Sequence, residues 1–568
     1  MCTRISRTAR ISACLCYACA VCAFAQQRAA PVLPSVADPA AIERRQQALP
    51  EPLAKTQTVD RPQENSQSPP PAGSDTRFTL VHIELLGVSA YKPDELLVPY
   101  KELLGTEITV GRVFQIADEI TARYRKDGWP YSRVLLPAQE ITNGQVTLQA
   151  VEGYAAEMEF SGDGDRRFPY AEQIRNRLAQ EKPLRQRTLE RYMLLMNDVP
   201  GATVAIAMSP SSEQFGGLRL ATRVSEQRFE ASVGASNRGS RVLGPMQYEA
   251  SVGLNSLFSG YDATRVTFVT TGSKELAFIA LSQSWLVSSE GTRLELAASH
   301  SKSEPDLGQD FQALNLETNA TSFGLTLSHP FLRSRSDNFT ARLGVDYHKG
   351  ETRDAFDQAR EDRLPTVRLG FTFDTTDAYN GVNVLDLQIS KGFVTGGATT
   401  SADENSSRPG ASANFEKAEL YAARLQSLGA GWSVLLGLQG QFAGTDLLSS
   451  EEFAFGGPLF GRAYDPSELV GDSGIAGKLE LRYALSAFDA GVPPVTLYAF
   501  YDAGNVYRRN VQPGEKQRES ATAAGGGIRF NVGRYLHGYV EGAAPLTRNV
   551  AAEGNKNMRI FGGITASF

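Results

Sequence analysis

The chain has 568 residues, with 57 Lys and Arg against 63 Asp and Glu and a net charge of −6. That balance argues against a nucleic-acid partner, and the length exceeds one ordinary domain. All five cysteines (Cys2, Cys14, Cys16, Cys19 and Cys22) lie at the extreme N-terminus, so the rest of the chain has no disulfide, thiolate nucleophile or cysteine metal site.

Arg4, Arg7 and Arg10 lead into apolar and small residues, and Ala23-Phe24-Ala25 is a small-x-small cleavage site. Residues 1–25 therefore read as a signal peptide. Its loss would take the net charge to −9. Residues 26–76 are rich in Pro, Gln, Ser and Ala, and Pro69-Pro70-Pro71 marks a stiff linker. One helix is predicted there, over 40–49, with Asp38 as cap, Pro39 in the first turn and Pro50 as stop. Residues 77–153 alternate, then turn helical, then alternate again. They predict a strand at 78–85, helices at 93–103 and 110–126, and strands at 131–136 and 145–151. Residues 154–225 repeat the order, with elements at 157–161, 170–180, 184–197, 203–208 and 218–224. Each segment suits a small α+β domain.

From about residue 229 helical periodicity almost vanishes. Sixteen alternating strands are predicted: 229–237, 246–256, 262–272, 275–284, 291–300, 320–329, 337–347, 363–375, 381–391, 416–426, 432–442, 475–486, 494–504, 521–531, 535–546 and 557–568. No run of 18 apolar residues follows position 25, so a helical membrane span is excluded. An even number of strands fits a closed transmembrane β-barrel over 226–568, which satisfies every backbone group without water. Strand 432–442 shows the two faces. Val434, Leu436, Leu438, Gly440 and Phe442 suit lipid; Ser433, Gln439 and Gln441 suit a lumen. The closing strand sets Ile560, Ile564 and Phe568 on one face and Arg559, Thr565 and Ser567 on the other. A terminal aromatic on such a strand is what an outer-membrane barrel carries. A large soluble all-β protein is the competing reading; it leaves the signal peptide and the polar inner faces unexplained.

Alternation on 494–504 turns Asp502 into the lumen with Phe500 and Gly504. Glu480 and Glu541 read as pore lining. Gly471-Asp472-Ser473-Gly474 copies the surroundings of a serine-protease nucleophile, but His82, His300, His329, His348 and His537 are scattered through unrelated segments. A triad needs a positioned base, so the motif is read as the end of a loop. No phosphate-binding loop or metal spacing is present, and neither a catalytic site nor a cofactor is expected.

Two regions carry a resemblance. Residues 120–129 (Ile-Thr-Ala-Arg-Tyr-Arg-Lys-Asp-Gly-Trp), 132–139 (Ser-Arg-Val-Leu-Leu-Pro-Ala-Gln) and Val151-Glu152-Gly153 resemble a POTRA domain. Phe455-Gly456-Gly457-Pro458-Leu459-Phe460-Gly461-Arg462-Ala463-Tyr464-Asp465, with Gly471-Asp472-Ser473-Gly474 and Phe500-Tyr501-Asp502-Ala503-Gly504, resembles the in-lumen loop and wall motif of two-partner secretion transporters. The chain is identified as a member of that haemolysin secretion/activation group of POTRA-barrel proteins.

The resemblance implies two POTRA domains (77–153 and 154–225), a 16-stranded barrel and a long loop, 443–474, folded into its lumen. It implies that Arg462 pairs with Asp502, supported by Gly457, Tyr464, Gly471, Asp472, Phe500 and Gly504. Gly461 stands where the family usually has Val, and Ala463 where it has Gly; a positive φ at Ala463 would be strained. Further implications are a plug helix at 40–49, a cargo groove on the first POTRA domain and a non-enzymatic export role. Ile120, Tyr124 and Trp129 could line the groove, though their helical spacing suits core equally. The partners implied are one secreted exoprotein (an adhesin, cytolysin or haem-binding protein), the barrel assembly machinery, with Phe568 as its signal, and outer-membrane lipid. An insertase for other barrels and a passive porin are the alternatives.

Overall fold

The computed structural model describes residue 52 and residues 74–568, except 163–167, 259, 261, 274, 308–314, 357, 486–494 and 513. The predicted signal peptide, helix 40–49 and, apart from Pro52 and residues 74–76, the linker lie outside the described residues.

The first domain comprises β1 (Arg77–Thr79), β2 (His82–Leu86), α1 (Pro93–Leu97), β3 (Glu107–Thr109), α2 (Val110–Lys126), β4 (Arg133–Leu135) and β5 (Gln145–Val151). Helix α2 starts where Thr109 accepts the Arg112 N–H at 3.2 Å. Val113, Ile116, Ala117, Ile120 and Tyr124 recur at three- and four-residue spacing and bury one stripe against the sheet β2-β5-β4. Two predicted elements divide. The strand 78–85 breaks at Leu80: β1 pairs with β3, and β2 lies parallel to β5. The helix 93–103 ends at Leu97 and tightens to a 3-10 turn over Val98–Leu103, because Pro99 has no N–H for an α-helix interior.

The second domain repeats this plan with β6 (Tyr154–Ser161), α3 (Ala171–Gln180), α4 (Gln186–Asn197), β7 (Ala202–Pro210) and β8 (Gly217–Glu226), in sheet order β6-β8-β7. Tyr131 of the first domain packs on the second domain's core. Below the barrel, Asp198 receives the Arg333 guanidinium through two bonds of 2.7 Å, and Arg191 meets Glu290 at 3.1 Å. These pairs fix α4 beneath the barrel.

The barrel strands are β9 (Phe229–Ser236), β10 (Gln247–Asn255), β11 (Ala263–Thr271), β12 (Leu276–Leu286), β13 (Arg293–Ser303), β14 (Glu317–Arg333), β15 (Asp337–Arg353), β16 (Ala359–Thr376), β17 (Gly381–Gly392), β18 (Glu416–Gly429), β19 (Trp432–Ala443), β22 (Ser473–Ala484), β23 (Val495–Tyr507), β24 (Arg518–Val532), β25 (Leu536–Pro545) and β26 (Arg559–Ser567). They close into one antiparallel cylinder in chain order. Each of the sixteen predicted strands overlaps one of them. Between β19 and β22 lie two short strands that alternation did not reveal, β20 (Phe453–Phe455) and β21 (Leu469–Gly471).

The period-two pattern decides which side chains meet lipid. Leu436, Leu438 and Phe442 point outward, while Leu435 and Gln441 are buried inside. The closing seam β26–β9 has five paired positions, Gly563↔Ser236 to Ser567↔Ser232. Phe568 extends it: its N–H donates to the Ala231 carbonyl at 2.8 Å and its carbonyl accepts from Ala231 at 3.2 Å. Its ring stays outside.

Leu436→Arg, on the outer face, should lower the unfolding free energy in lipid vesicles by about 2–4 kcal/mol. Denaturant titration reads the loss, and Gln439→Arg, on the inner face, should cost far less.

Candidate functional site

Residues 444–472 leave the wall at the end remote from the α+β domains and fold back inside. Every residue from 460 to 472 is buried. The stem of this loop is the β20–β21 ladder, with Phe453 opposite Gly471 and Phe455 opposite Leu469. The wall receives the stem through glycines. At Gly474 and Gly504 a Cβ would run into the Phe453 and Phe455 rings, and at Gly471 into the backbone of Tyr507. Two of the expected support residues, Gly471 and Gly504, thus act by leaving space.

Arg462 sits at the loop tip, 3% exposed, against a fully buried Asp502. Its Nε donates to Asp502 Oδ2 at 3.0 Å and its Nη2 to Oδ1 at 2.8 Å. The backbone N–H groups of Gly461 and Arg462 reach the same Oδ2 at 3.1 and 3.0 Å. One carboxylate therefore accepts four bonds from the tip, two of them a planar fork that Lys cannot copy. The guanidinium also lies 3.6 Å from the centroid of the Phe500 ring and bonds Glu480 through Nη1.

The cage extends beyond the expected pair. Glu480 accepts Arg529 at 2.6 Å and Arg482 at 2.7 Å. Glu541 binds Arg238 and accepts the Tyr498 hydroxyl at 2.8 Å. Arg238 then donates to the Arg462 carbonyl at 2.8 Å. Glu480 and Glu541, expected as pore lining, are buried members of this network. Arg238 was missed altogether, because it follows the end of β9, where no strand parity points it inward. Glu480 had a findable signal: β22 pairs it directly with Phe500.

The tip backbone resolves the two departures noted in the sequence. The positive φ, +79°, falls on Gly461, and Ala463 is not among the positive-φ residues. A Cβ at Gly461 would stand 2.7 Å from the Phe455 ring. The glycine requirement thus precedes the arginine, and Ala463 packs fully buried without strain. Gly457, at φ +98°, donates its N–H to the Tyr464 carbonyl at 3.2 Å. The Tyr464 hydroxyl donates to the Thr522 carbonyl at 3.0 Å. Asp465 accepts Arg559 of the closing strand at 2.6 Å. Burial pushes the Glu468 carboxyl up to about 7, with the Ala551 N–H at 2.7 Å opposing the shift.

The loop neck is held with the opposite polarity. Asp472 accepts Arg408 at 2.7 Å and the N–H groups of Leu447 and Arg509 at 2.8 Å each. Burial would raise the Glu451 carboxyl, but Arg368 at 2.6 Å and Lys417 at 2.8 Å outweigh it and hold it below the usual range. Ser473 accepts the Ala443 N–H at 3.1 Å. The four barrel histidines bond Thr292, Thr321, Ser322 and Asn531 instead. Among the described residues no group of three His, Cys, Asp or Glu could hold a metal ion.

The groove residues need correction. Ile120 and Tyr124 are 2% and 0% exposed and belong to the first domain's core. The groove came from the resemblance; the core alternative that their helical spacing suits is the one the structure shows. Trp129 is half-buried, edge-on to Tyr91 at 5.3 Å, with Arg185 over its ring at 5.0 Å.

Residues 218–530 match the sequence profile of the haemolysin secretion/activation protein ShlB/FhaC/HecB family, and residues 78–153 that of the ShlB-type POTRA domain. The heme/hemopexin transporter protein HuxB of Haemophilus influenzae strain 86-028NP is 21% identical over 490 residues, covering 84% of this chain and 85% of HuxB. The outer membrane transporter CdiB of Dickeya dadantii is 23% identical over 457 residues, covering 77% of each chain. The structure of CdiB from Escherichia coli superposes with a TM-score of 0.70 at 17% identity, covering all of both chains.

Three variants test the tip. Arg462→Ala strands buried carboxylates and should weaken loop docking by about 3–5 kcal/mol; amide exchange at 461–464 should accelerate accordingly. Gly461→Val should loosen the same amides through its positive φ and the Phe455 clash, whereas Ala463→Gly should leave them protected.

Proposed function

The chain belongs to the haemolysin secretion/activation protein ShlB/FhaC/HecB family, and from that premise we propose how it moves its cargo. It is a two-partner secretion transporter of the outer membrane, with its POTRA domains in the periplasm. Members of this family are transporters rather than enzymes. The cargo in our reading is one partner exoprotein, captured unfolded by the POTRA pair (77–153 and 154–225) and threaded through the barrel. Folding outside supplies the drive. The name of HuxB makes a haem-binding partner one candidate; adhesins and cytolysins are others. Phe568 serves as the signal by which the barrel assembly machinery inserts the chain.

The observation that carries this reading is the Arg462–Asp502 lock inside the lumen. A passive porin needs no arginine caged between wall carboxylates, nor two domains docked under its pore. The loop fixes the resting shape, Gly457, Tyr464, Gly471, Asp472, Phe500 and Gly504 supporting it. A plug role for segment 40–49 belongs to the same reading. An insertase role is not favoured by the match to secretion transporters.

Arg462→Ala should leave the barrel inserted and heat-modifiable but abolish release of the partner, read by blotting culture supernatant; normal release would remove the loop from the mechanism. Deleting 38–49 should raise single-channel conductance in planar bilayers, and an unchanged current would retire the plug. Comparing supernatant with the membrane proteome of a deletion strain separates the two transport roles. One missing secreted protein fits export; a broad loss of barrels fits insertion.

A further inference from the structure

The far-end loop 393–415 joins β17 to β18 and lies across the neck of the in-lumen loop. Its outer anchors are on β16: Ser407 donates its N–H to Asp362 Oδ1 at 2.9 Å, and Thr399 its N–H to the Arg363 carbonyl at 3.0 Å. Its opposite edge reaches the loop after β23, where Asn510 donates through Nδ2 to the Pro409 carbonyl at 3.3 Å. It thus bridges strands far apart around the rim. Its underside is apolar, with Ala398, Ala411, Ala413 and Phe415 clustering with Leu447 and Leu448 of the neck.

At the centre of this contact Arg408 is buried, 8% exposed. One Nη1 meets Asp472 Oδ1 at 2.7 Å, Glu452 Oε1 at 3.0 Å and the Leu447 carbonyl at 2.9 Å. The second terminal nitrogen, Nη2, donates to the Asn510 carbonyl at 3.4 Å. Asp472 and Glu452 are both buried, so they face each other unless a cation lies between them. Asp472 also caps the N–H groups of Leu447 and Arg509. One guanidinium therefore ties three loops together.

We infer that loop 393–415 is a lid over the exit, latched to the in-lumen loop by Arg408, which acts as a positioning residue for cargo release. This rests on the reading that an extended chain leaves by this mouth. The latch is separate from the tip lock, because Arg462 finds its carboxylates on β22 and β23 and Arg408 finds its own on the loop neck. Removing Arg408 leaves two buried anions in mutual repulsion and frees the lid, while the tip stays seated on Asp502. Opening can then proceed in two steps, lid first.

The absence of cysteine after residue 25 allows reporters to be placed singly. A443C lies beneath the lid, and A476C lies on the wall beneath the in-lumen loop; both parent alanines are 1% exposed. Each is labelled on intact cells with a membrane-impermeant maleimide, with and without Arg408→Ala. The latch predicts that A443C reacts roughly tenfold faster or more once Arg408 is gone, while A476C stays protected. Equal rates at A443C overturn the latch. Acceleration of both reporters together also overturns it, since Arg408 would then stabilise the barrel generally. Should Arg408→Ala fail to insert, Arg408→Gln carries the same comparison. Labelling needs no cargo, so a failed latch and a failed export reading remain distinguishable.

Discussion

A guanidinium taken out of water inside a protein must find its charge and hydrogen bonds repaid on the spot. Arg462 meets that demand in the lumen, where Asp502 receives its fork, Glu480 its remaining nitrogen, and one aromatic face covers it. The rest of the barrel interior is arranged around this need. Glycines clear space for the stem, Arg238 and Arg529 balance the Glu541 and Glu480 carboxylates, and the tip backbone bends at Gly461 to aim two amides at Asp502. Burying one partner without the other would cost more than an exposed ion pair ever returns.

The loop carries opposite charge at its two ends. At the tip it brings a cation to wall anions; at the neck it brings Glu451, Glu452 and Asp472 to cations from the wall and from a neighbouring loop. Each end of the loop thus finds its own counter-charges on the surrounding wall and loops, so ion pairing adds to shape in seating it. Arg238 and Arg559 add a link to closure. They sit beside the β9–β26 seam and bond the tip at the Arg462 and Ala463 carbonyls. The state of the loop and the ends of the barrel are therefore in contact.

Much of this was legible because a strand has period two. Parity alone placed Asp502 inside and Leu436 outside, and the same rule found all sixteen wall strands. It could not weigh a lumenal carboxylate: Glu480 and a water-lined pore residue look alike until Arg462 is beside it. Arg238 follows a strand end, where parity no longer applies. The tip reversed its expected glycine, since a positive φ before Arg462 serves the fold-back as well as one after it. On the first domain, helical spacing marked Ile120 and Tyr124 as one stripe suited to core, which is where they lie; the groove reading taken from the resemblance does not hold for them. Pro99 was visible in the sequence, yet the apolar spacing around it masked the break.

The seated loop can be tested by trapping it. Phe455 packs directly over Gly504, so the pair Phe455→Cys and Gly504→Cys should form a disulfide under mild oxidation in the otherwise cysteine-free barrel, read as a mobility shift on gels. The account predicts rapid, near-complete cross-linking with Arg462 present and a marked slowing with Arg462→Ala. Absence of the cross-link in the parent, or an equal rate in both backgrounds, would contradict the claim that this arginine holds the loop in the lumen.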